Sequence, residues 1–216
     1  RDYAALQSVR NLAVQRTVEF NAETYGIMIT AAARTAWGIN GRRQDSLDQM
    51  RALGFGKSAY EEMKKTKGLL AGLPEYGAIL GLCAKASDAD WAREMWSEML
   101  SKDLKPSIVE YTQYFLAVLS RGEEAAWDSL EAEMAIMRER GVEPDAAFLG
   151  ALVDTAGTQY SLDRVDWLWQ ELRPRVRSLN STPYGSMAKA LMLCGVPERV
   201  PPLREELLGR GIEVQF

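Results

Sequence analysis

The chain has 216 residues, with 26 Lys and Arg against 30 Asp and Glu, a net charge of −4 and no histidine. At 47% hydrophobic and 26% charged residues it can build a packed core. The missing imidazole excludes Ser-His-Asp and Cys-His nucleophile systems, histidine-bearing zinc sites and a histidine pH switch, and no window approaches the roughly 18 consecutive apolar residues of a membrane span.

Residues 1–21 read as the second helix of a preceding, truncated repeat. Ala5, Leu6, Val9, Leu12 and Ala13 share its apolar face, so the array is expected to continue N-terminally. The stretch 22–72 reads as a divergent repeat. Its marker Tyr25 stands 38 residues before Met63, whereas 23 residues separate Tyr76 from Met99. The excess falls at about 37–57, where Gly38, Gly41, Gly54 and Gly56 bracket a short amphipathic piece with Leu47, Met50 and Leu53. That piece has two readings, a tolerated surface insertion or a partner-docking element.

The next repeat, 73–107, has the clearest pattern. Tyr76, Ile79, Leu80 and Cys83 lie at i, i+3, i+4 and i+7, one face of a first helix, here called helix A. Ser87-Asp88 supplies a break and an N-cap. A second helix, helix B, carries Trp91, Ala92, Met95, Trp96 and Met99 and stops near Lys102, before Pro106. The pattern recurs through 108–145, 146–180 and a terminal repeat, 181–216. Met99, Met137, Leu172 and Leu207 are spaced by 38, 35 and 35 residues; Tyr76, Tyr111, Leu149 and Tyr184 by 35, 38 and 35. Two landmark sets with one period predict a fold that is all-α, a right-handed α-solenoid of stacked antiparallel helical hairpins, because one hairpin cannot bury both of its apolar faces alone.

Cys83 and Cys194 lie in apolar helical stretches and read as buried small hydrophobes in a reducing compartment. Trp91, Trp96, Trp127, Trp167 and Trp169 fall on helix B and read as core, with an exposed partner patch as the alternative. There is no Gly-rich phosphate loop, CxxC pair, His-Glu-x-x-His or EF-hand loop, so no cofactor, metal or catalytic residue is expected and the chain reads as a non-enzyme. The carboxylate pairs Glu123-Glu124 and Glu205-Glu206 sit on helix turns expected to be exposed, not in a cleft.

These repeats resemble the pentatricopeptide repeat (PPR). The matching residues are Tyr76, Tyr111 and Tyr184 early in helix A; Glu62-Met63, Glu98-Met99 and Glu206-Leu207 late in helix B; and the ending Gly141-Val142-Glu143-Pro144-Asp145. Tetratricopeptide repeats, the nearest competitor, would show a W…LG…Y pattern and a 34-residue period. The resemblance implies a protein of mitochondria or chloroplasts that binds single-stranded RNA, two side chains per repeat reading one base. Carried over position by position, it makes Thr112 and Asp145 a reading pair. Ser107 and Asn180 hold the second reading position in other repeats, where the first position is glycine: Gly26, Gly77, Gly150 and Gly185. It also implies that helix A lines the binding groove, with Arg34, Lys85, Arg121 and Lys189 as phosphate contacts, while acids such as Glu94, Glu98, Glu131 and Glu206 crowd helix B.

Two functions remain open. One is an RNA-binding adaptor in organellar RNA processing, stability or translation, with weak base specificity. The other is a protein-binding scaffold or accessory subunit of a large organellar assembly, such as a mitochondrial ribosome or an energy-transducing membrane complex. Protein partners are expected at Leu47, Met50 and Leu53 or at the array ends, with no direct membrane insertion.

Overall fold

A computed structural model describes residues 3–16, 18–36 and 46–212. Among them are eleven α-helices and no strand: α1 (Tyr3–Gln15), α2 (Ala22–Ala36), α3 (Ser46–Lys65), α4 (Leu73–Ala86), α5 (Ala89–Ser101), α6 (Ile108–Leu119), α7 (Glu124–Glu139), α8 (Ala146–Thr158), α9 (Leu162–Leu172), α10 (Ser181–Leu193) and α11 (Val200–Gly209). They form two compact units. The first holds α1 to α5 and the C-terminal part of α6, the second the start of α6 and α7 to α11. In the first unit α2 pairs with α3 and α4 with α5, and α2 lies beside α4; in the second α8 pairs with α9 and α10 with α11, and α8 lies beside α10. No described helix is long and apolar enough to cross a membrane.

Each helix follows from its pattern. In α8, Phe148, Leu149, Leu152, Val153 and Ala156 recur at three-and-four spacing and are all buried. In α9, Val165, Leu168 and Leu172 point inward while Asp163 and Gln170 stay in water. Both landmark sets lie in the core: Met99, Met137, Leu172 and Leu207, with Tyr76, Tyr111, Leu149 and Tyr184, are buried.

The helix ends repeat as closely as the cores. After α7, Gly141 adopts φ 77 and the Val142 N–H reaches back to the Met137 carbonyl at 3.1 Å. After α11, Gly211 adopts φ 68 and Ile212 N–H reaches Leu207 at 3.3 Å. This is the left-handed closure that satisfies the last carbonyls of a helix, and it explains the glycine spacing. Ser87, Asp103 and Tyr160 make the same closure at φ 56 to 58 with no glycine.

Several expectations need correction. Residues 46–57 are not a separate piece between glycines. They are the opening turns of α3, and Gly54 and Gly56 lie inside that helix. A Cβ on Gly56 would stand 2.2 Å from Leu82 Cδ2, so the glycine permits close approach of α4. Residues 37–45, the rest of the expected insertion, lie outside the described residues. On α1, Ala5, Val9 and Leu12 are exposed and Ala13 is half-buried, so that face is largely uncovered. Arg10 holds α1 in place by an ion pair to Glu62 and by lying 5.6 Å over the Phe55 ring. Cys83 is buried as expected, but Cys194 is half-buried, at the C-cap of α10. Trp91 and Trp127 are core residues, whereas Trp96, Trp167 and Trp169 are only half-buried. Trp96 stacks on Tyr114 at 4.4 Å and Trp169 meets Tyr184 edge-on at 5.3 Å.

The buried tyrosines also clamp helix A to helix B. Tyr76 Oη and Tyr60 Oη donate to Glu98 Oε1 at 2.9 and 2.6 Å, and Lys102 Nζ donates to the same oxygen at 2.8 Å. In the terminal repeat Tyr184 Oη donates to Glu206 at 2.9 Å and Arg210 Nε donates to it at 3.0 Å. The shared element is a helix-B glutamate followed four residues later by a base, capped by a helix-A phenol. Burial alone would push the Glu98 carboxyl up; the bonds from Lys102, Tyr60 and Tyr76 outweigh it and hold the group down at about 2.

Leu172 supplies the direct test of the register. Leu172→Ala should cost roughly 2–5 kcal/mol in denaturant unfolding, the range for a leucine in a packed core. Glu98 supplies a test by pH. A carboxyl whose folded pKa is depressed contributes stability above its unfolded value and loses it as pH falls through the folded value. The Glu98 contribution should therefore be complete above pH 4.5 and gone near 2. Glu98→Gln should lower stability by about 1.5–3 kcal/mol at neutral pH, the scale of hydrogen bonds to a charged group, and the difference from wild type should shrink across that acid window.

Candidate functional site

The expected second reading positions are helix caps. Asp145 precedes α8 and its Oδ1 accepts from Phe148 N–H at 2.7 Å. Asn180 precedes α10 and its Oδ1 accepts from Thr182 N–H at 3.0 Å. Ser107 precedes α6; its Oγ accepts from Val109 N–H at 3.2 Å, while Glu110 Oε2 accepts from both its N–H and its hydroxyl. Asn21 does the same for α2 through Thr24 N–H at 2.8 Å. Small polar residues stand here because the first backbone N–H groups of a helix have no partner within it. Capping leaves reading capacity. Asp145 keeps Oδ2 and Asn180 keeps its amide donors. Asp145 also opens on a cavity of about 410 Å³ that Glu143 and Arg177 help to line.

Thr112 Oγ donates to the Ile108 carbonyl of its own helix at 2.6 Å, so its hydroxyl retains only acceptor capacity. Among the described residues no hydrogen bond joins Thr112 to Asp145. Of the glycines at the first reading position, Gly150 has a packing role. A Cβ on it would lie 3.3 Å from Ser186 Oγ and 3.5 Å from Pro183 Cα, whereas one on Gly26 would make ordinary contact, 3.4 Å from Glu75 Oε1. Gly157, two turns along α8, comes closer still: a Cβ there would be 2.5 Å from that of Ala190. Small residues thus set the distance between α8 and α10. Gly185 faces open space and Gly77 is half-buried.

The four expected phosphate contacts divide in two. Arg121 donates to the Ser87 carbonyl at 3.1 Å and pairs with Asp90 at 3.2 Å. Lys189 pairs with Asp154 at 2.7 Å. Both are neutralised by a neighbour from the same compact unit. Arg34, near the end of α2, and Lys85, near the end of α4, have no acidic partner among the described residues. Arg34 is exposed and Lys85 is half-buried. Burial lowers the Lys85 pKa, and the charge of Arg34 lowers it further, so the two cations are near enough to repel. Two like charges near one another favour an anion beside them.

Of the docking candidates, Leu47 is 46% and Met50 is 62% exposed on the first turns of α3, and Leu53 is half-buried. No group of three or more acidic, cysteine or histidine side chains that could hold a metal occurs among the described residues. The sequence reading passed over Glu75, which is buried to 7% exposure beside Gly26. Its signal was available: a glutamate three residues after a helix cap reaches back to the cap N–H, and Gly72 N–H donates to Glu75 Oε2 at 2.8 Å.

No family model matches the chain. It is 26% identical, over 136 residues, to a chloroplastic pentatricopeptide repeat-containing protein of Arabidopsis thaliana; the match covers 62% of this chain and 16% of that protein. Among solved structures it is similar to the pentatricopeptide repeat protein PPR10 in complex with an 18-nt psaJ RNA element, with a TM-score of 0.66 at 20% identity, over 96% of this chain and 27% of that one. It is also similar to the PPR domain of Arabidopsis thaliana protein-only RNase P 1 in complex with tRNA, with a TM-score of 0.59 at 17% identity, over 88% of this chain and 91% of that domain. The resemblance seen in the repeat residues therefore holds in sequence and in fold, and the fold is the all-α helical-repeat class. The chain spans about a sixth of the length of the curated relative and about a quarter of PPR10.

The cap role of Asp145 is separable from any other. Asp145→Ala should lower stability by about 0.5–2 kcal/mol, whereas Asp145→Asn or Asp145→Ser should keep most of it, because each retains an oxygen for Phe148 N–H. Thermal unfolding of the three variants checks this.

Proposed function

We propose that this chain binds single-stranded RNA, as a non-catalytic helical-repeat module of a longer organellar protein. The observation that carries the proposal is that Arg34 and Lys85, cations on the neighbouring helices α2 and α4, have no acidic partner among the described residues and are near enough for one charge to act on the other. A phosphodiester beside them would offset their repulsion and the cost of partly burying the Lys85 ammonium. The relatives support the ligand class, since one is seen with an RNA element and another with tRNA. The chloroplastic relative supports an organellar setting. We take 22–72, 73–107, 108–145, 146–180 and 181–216 as the repeat bounds, with 1–21 as the end of a preceding one. Base reading would rest on Asp145 with Thr112, and on Ser107 and Asn180 alone, which gives weak specificity. A second reading, docking of a protein partner, is favoured by the exposed Leu47 and Met50 on α3.

The test is RNA affinity as a function of salt. Lys85→Ala and Arg34→Ala should each weaken binding to all sequences alike and reduce the salt slope by about 1, as expected for a lost phosphate contact. Arg121→Ala and Lys189→Ala should change it less, because Asp90 and Asp154 already balance those charges. Equal effects at all four positions would remove the Arg34–Lys85 pair from its special place, and no retained RNA would favour the protein-docking reading.

A further inference from the structure

We infer that Glu75 supplies the base-recognising group at the position of Gly26, so that the first described repeat selects a nucleobase presenting hydrogen-bond donors, guanine above all and uracil least. The inference rests on the RNA-binding reading above. Gly26 has no side chain, but the space where its Cβ would stand is not empty of chemistry, because Glu75 Oε1 lies 3.4 Å from it. Two glutamates reach back to helix caps, each through Oε2. Glu110 Oε2 takes both the N–H and the hydroxyl of Ser107. Before α4 the cap is Gly72, which has no hydroxyl, and Glu75 Oε2 takes its N–H alone. Oε1 has no partner among the described residues. It is not sealed from solvent either, since Arg173 Nε is the lone sealed, unsatisfied side-chain atom among them. Glu75 is 7% exposed, so the carboxylate is held in place with one oxygen beside the Gly26 backbone. Such a preorganised acceptor discriminates better than an exposed, mobile one, because little ordering remains to be done on binding.

The chemistry then sets the choice of base. A carboxylate only accepts hydrogen bonds. The Watson–Crick edge of guanine offers an N–H and an amino group side by side, and those of cytosine and adenine offer one amino group. Uracil offers a single N–H between two carbonyl oxygens, which a carboxylate repels. The cationic end of the same helix pair is within one nucleotide's reach for long side chains. Lys85 stands ten residues beyond Glu75, about 15 Å along α4 by helical rise, and Arg34 stands eight beyond Gly26 on α2. The α2–α4 pair thus carries an acceptor near one end and two cations near the other.

The experiment uses short adenosine oligoribonucleotides in which one position, moved along the strand, is guanosine or uridine. Binding is followed by fluorescence anisotropy for the whole chain, Glu75→Gln and Gly26→Ala. At one placement the wild type should prefer guanosine to uridine by about tenfold, the scale of one hydrogen bond to a charged group. Glu75→Gln keeps an oxygen for Gly72 N–H and turns an amide donor toward the base, so the preference should vanish or invert. Gly26→Ala puts a methyl in ordinary contact with Oε1 and favours the helix; it should keep the fold and the affinity for plain adenosine strands yet lose the preference. A guanosine-to-uridine ratio that is the same in all three proteins overturns the inference while leaving RNA binding intact. Failure of the wild type to bind any strand overturns both.

Discussion

Everything in this architecture depends on how one repeat hands the chain to the next. Within a few residues the backbone must close one helix, turn and open another, with all its polar groups satisfied. Left-handed residues such as Gly141 and Gly211 satisfy the outgoing carbonyls, and Asn21, Ser107, Asp145 and Asn180 satisfy the incoming N–H groups. The cap sets where helix A begins, and the phenol of Tyr76 or Tyr184 then falls four residues into it, opposite the glutamate of helix B. A shift of one residue at the cap would turn the phenol about 100° around the helix and break the clamp.

This constraint explains why so much of the fold was legible in the sequence. Periodicity reports burial, and Met99, Met137, Leu172 and Leu207 are where it puts them. Caps and left-handed ends are local chemistry and leave local signatures. What was not legible depends on partners from distant segments. Arg34, Lys85, Arg121 and Lys189 look alike along the chain, yet Asp90 and Asp154 neutralise the last two, and among the described residues nothing acidic meets the first two. The glycine at the first reading position of α8 looked like a missing side chain, whereas Gly150, with Gly157, lets α8 and α10 approach. The run from 46 to 57 read as part of an insertion because the Tyr25–Met63 spacing is too long, and Gly54 and Gly56 suggested a separate piece; packing against α4 overrode that local preference and kept α3 helical.

The candidate site shows the same division of labour. Capping residues are tied to the backbone on one side and keep hydrogen-bonding capacity on the other, so in the proposed RNA-binding reading structural and recognition roles share one side chain. Substituting such a residue for a new specificity also edits a helix end, and the tolerated choices are those that cap: Asp, Asn, Ser and Thr. Recognition built on caps therefore draws on a short alphabet. In the inference drawn above, a group such as Glu75, which serves its cap with one oxygen and has no described partner for the other, would widen that alphabet without disturbing the junction.

The two cysteines differ in a way that matters for thiol chemistry. Cys83 lies in the core of the first compact unit, and burial, with Asp88 close by, drives its thiol well away from ionisation. Cys194 sits half-buried at the end of α10 in the second unit, raised by burial and by Asp166 but within reach of solvent. The thiolate is the reacting species, so an alkylating reagent meets two different gates. At Cys194 the gate is ionisation, and the folded protein is modified directly. At Cys83 it is the opening of the surrounding helices, so modification there counts local unfolding events of the first unit. The chain thus carries a built-in stability reporter in one unit and a site for attaching a probe in the other.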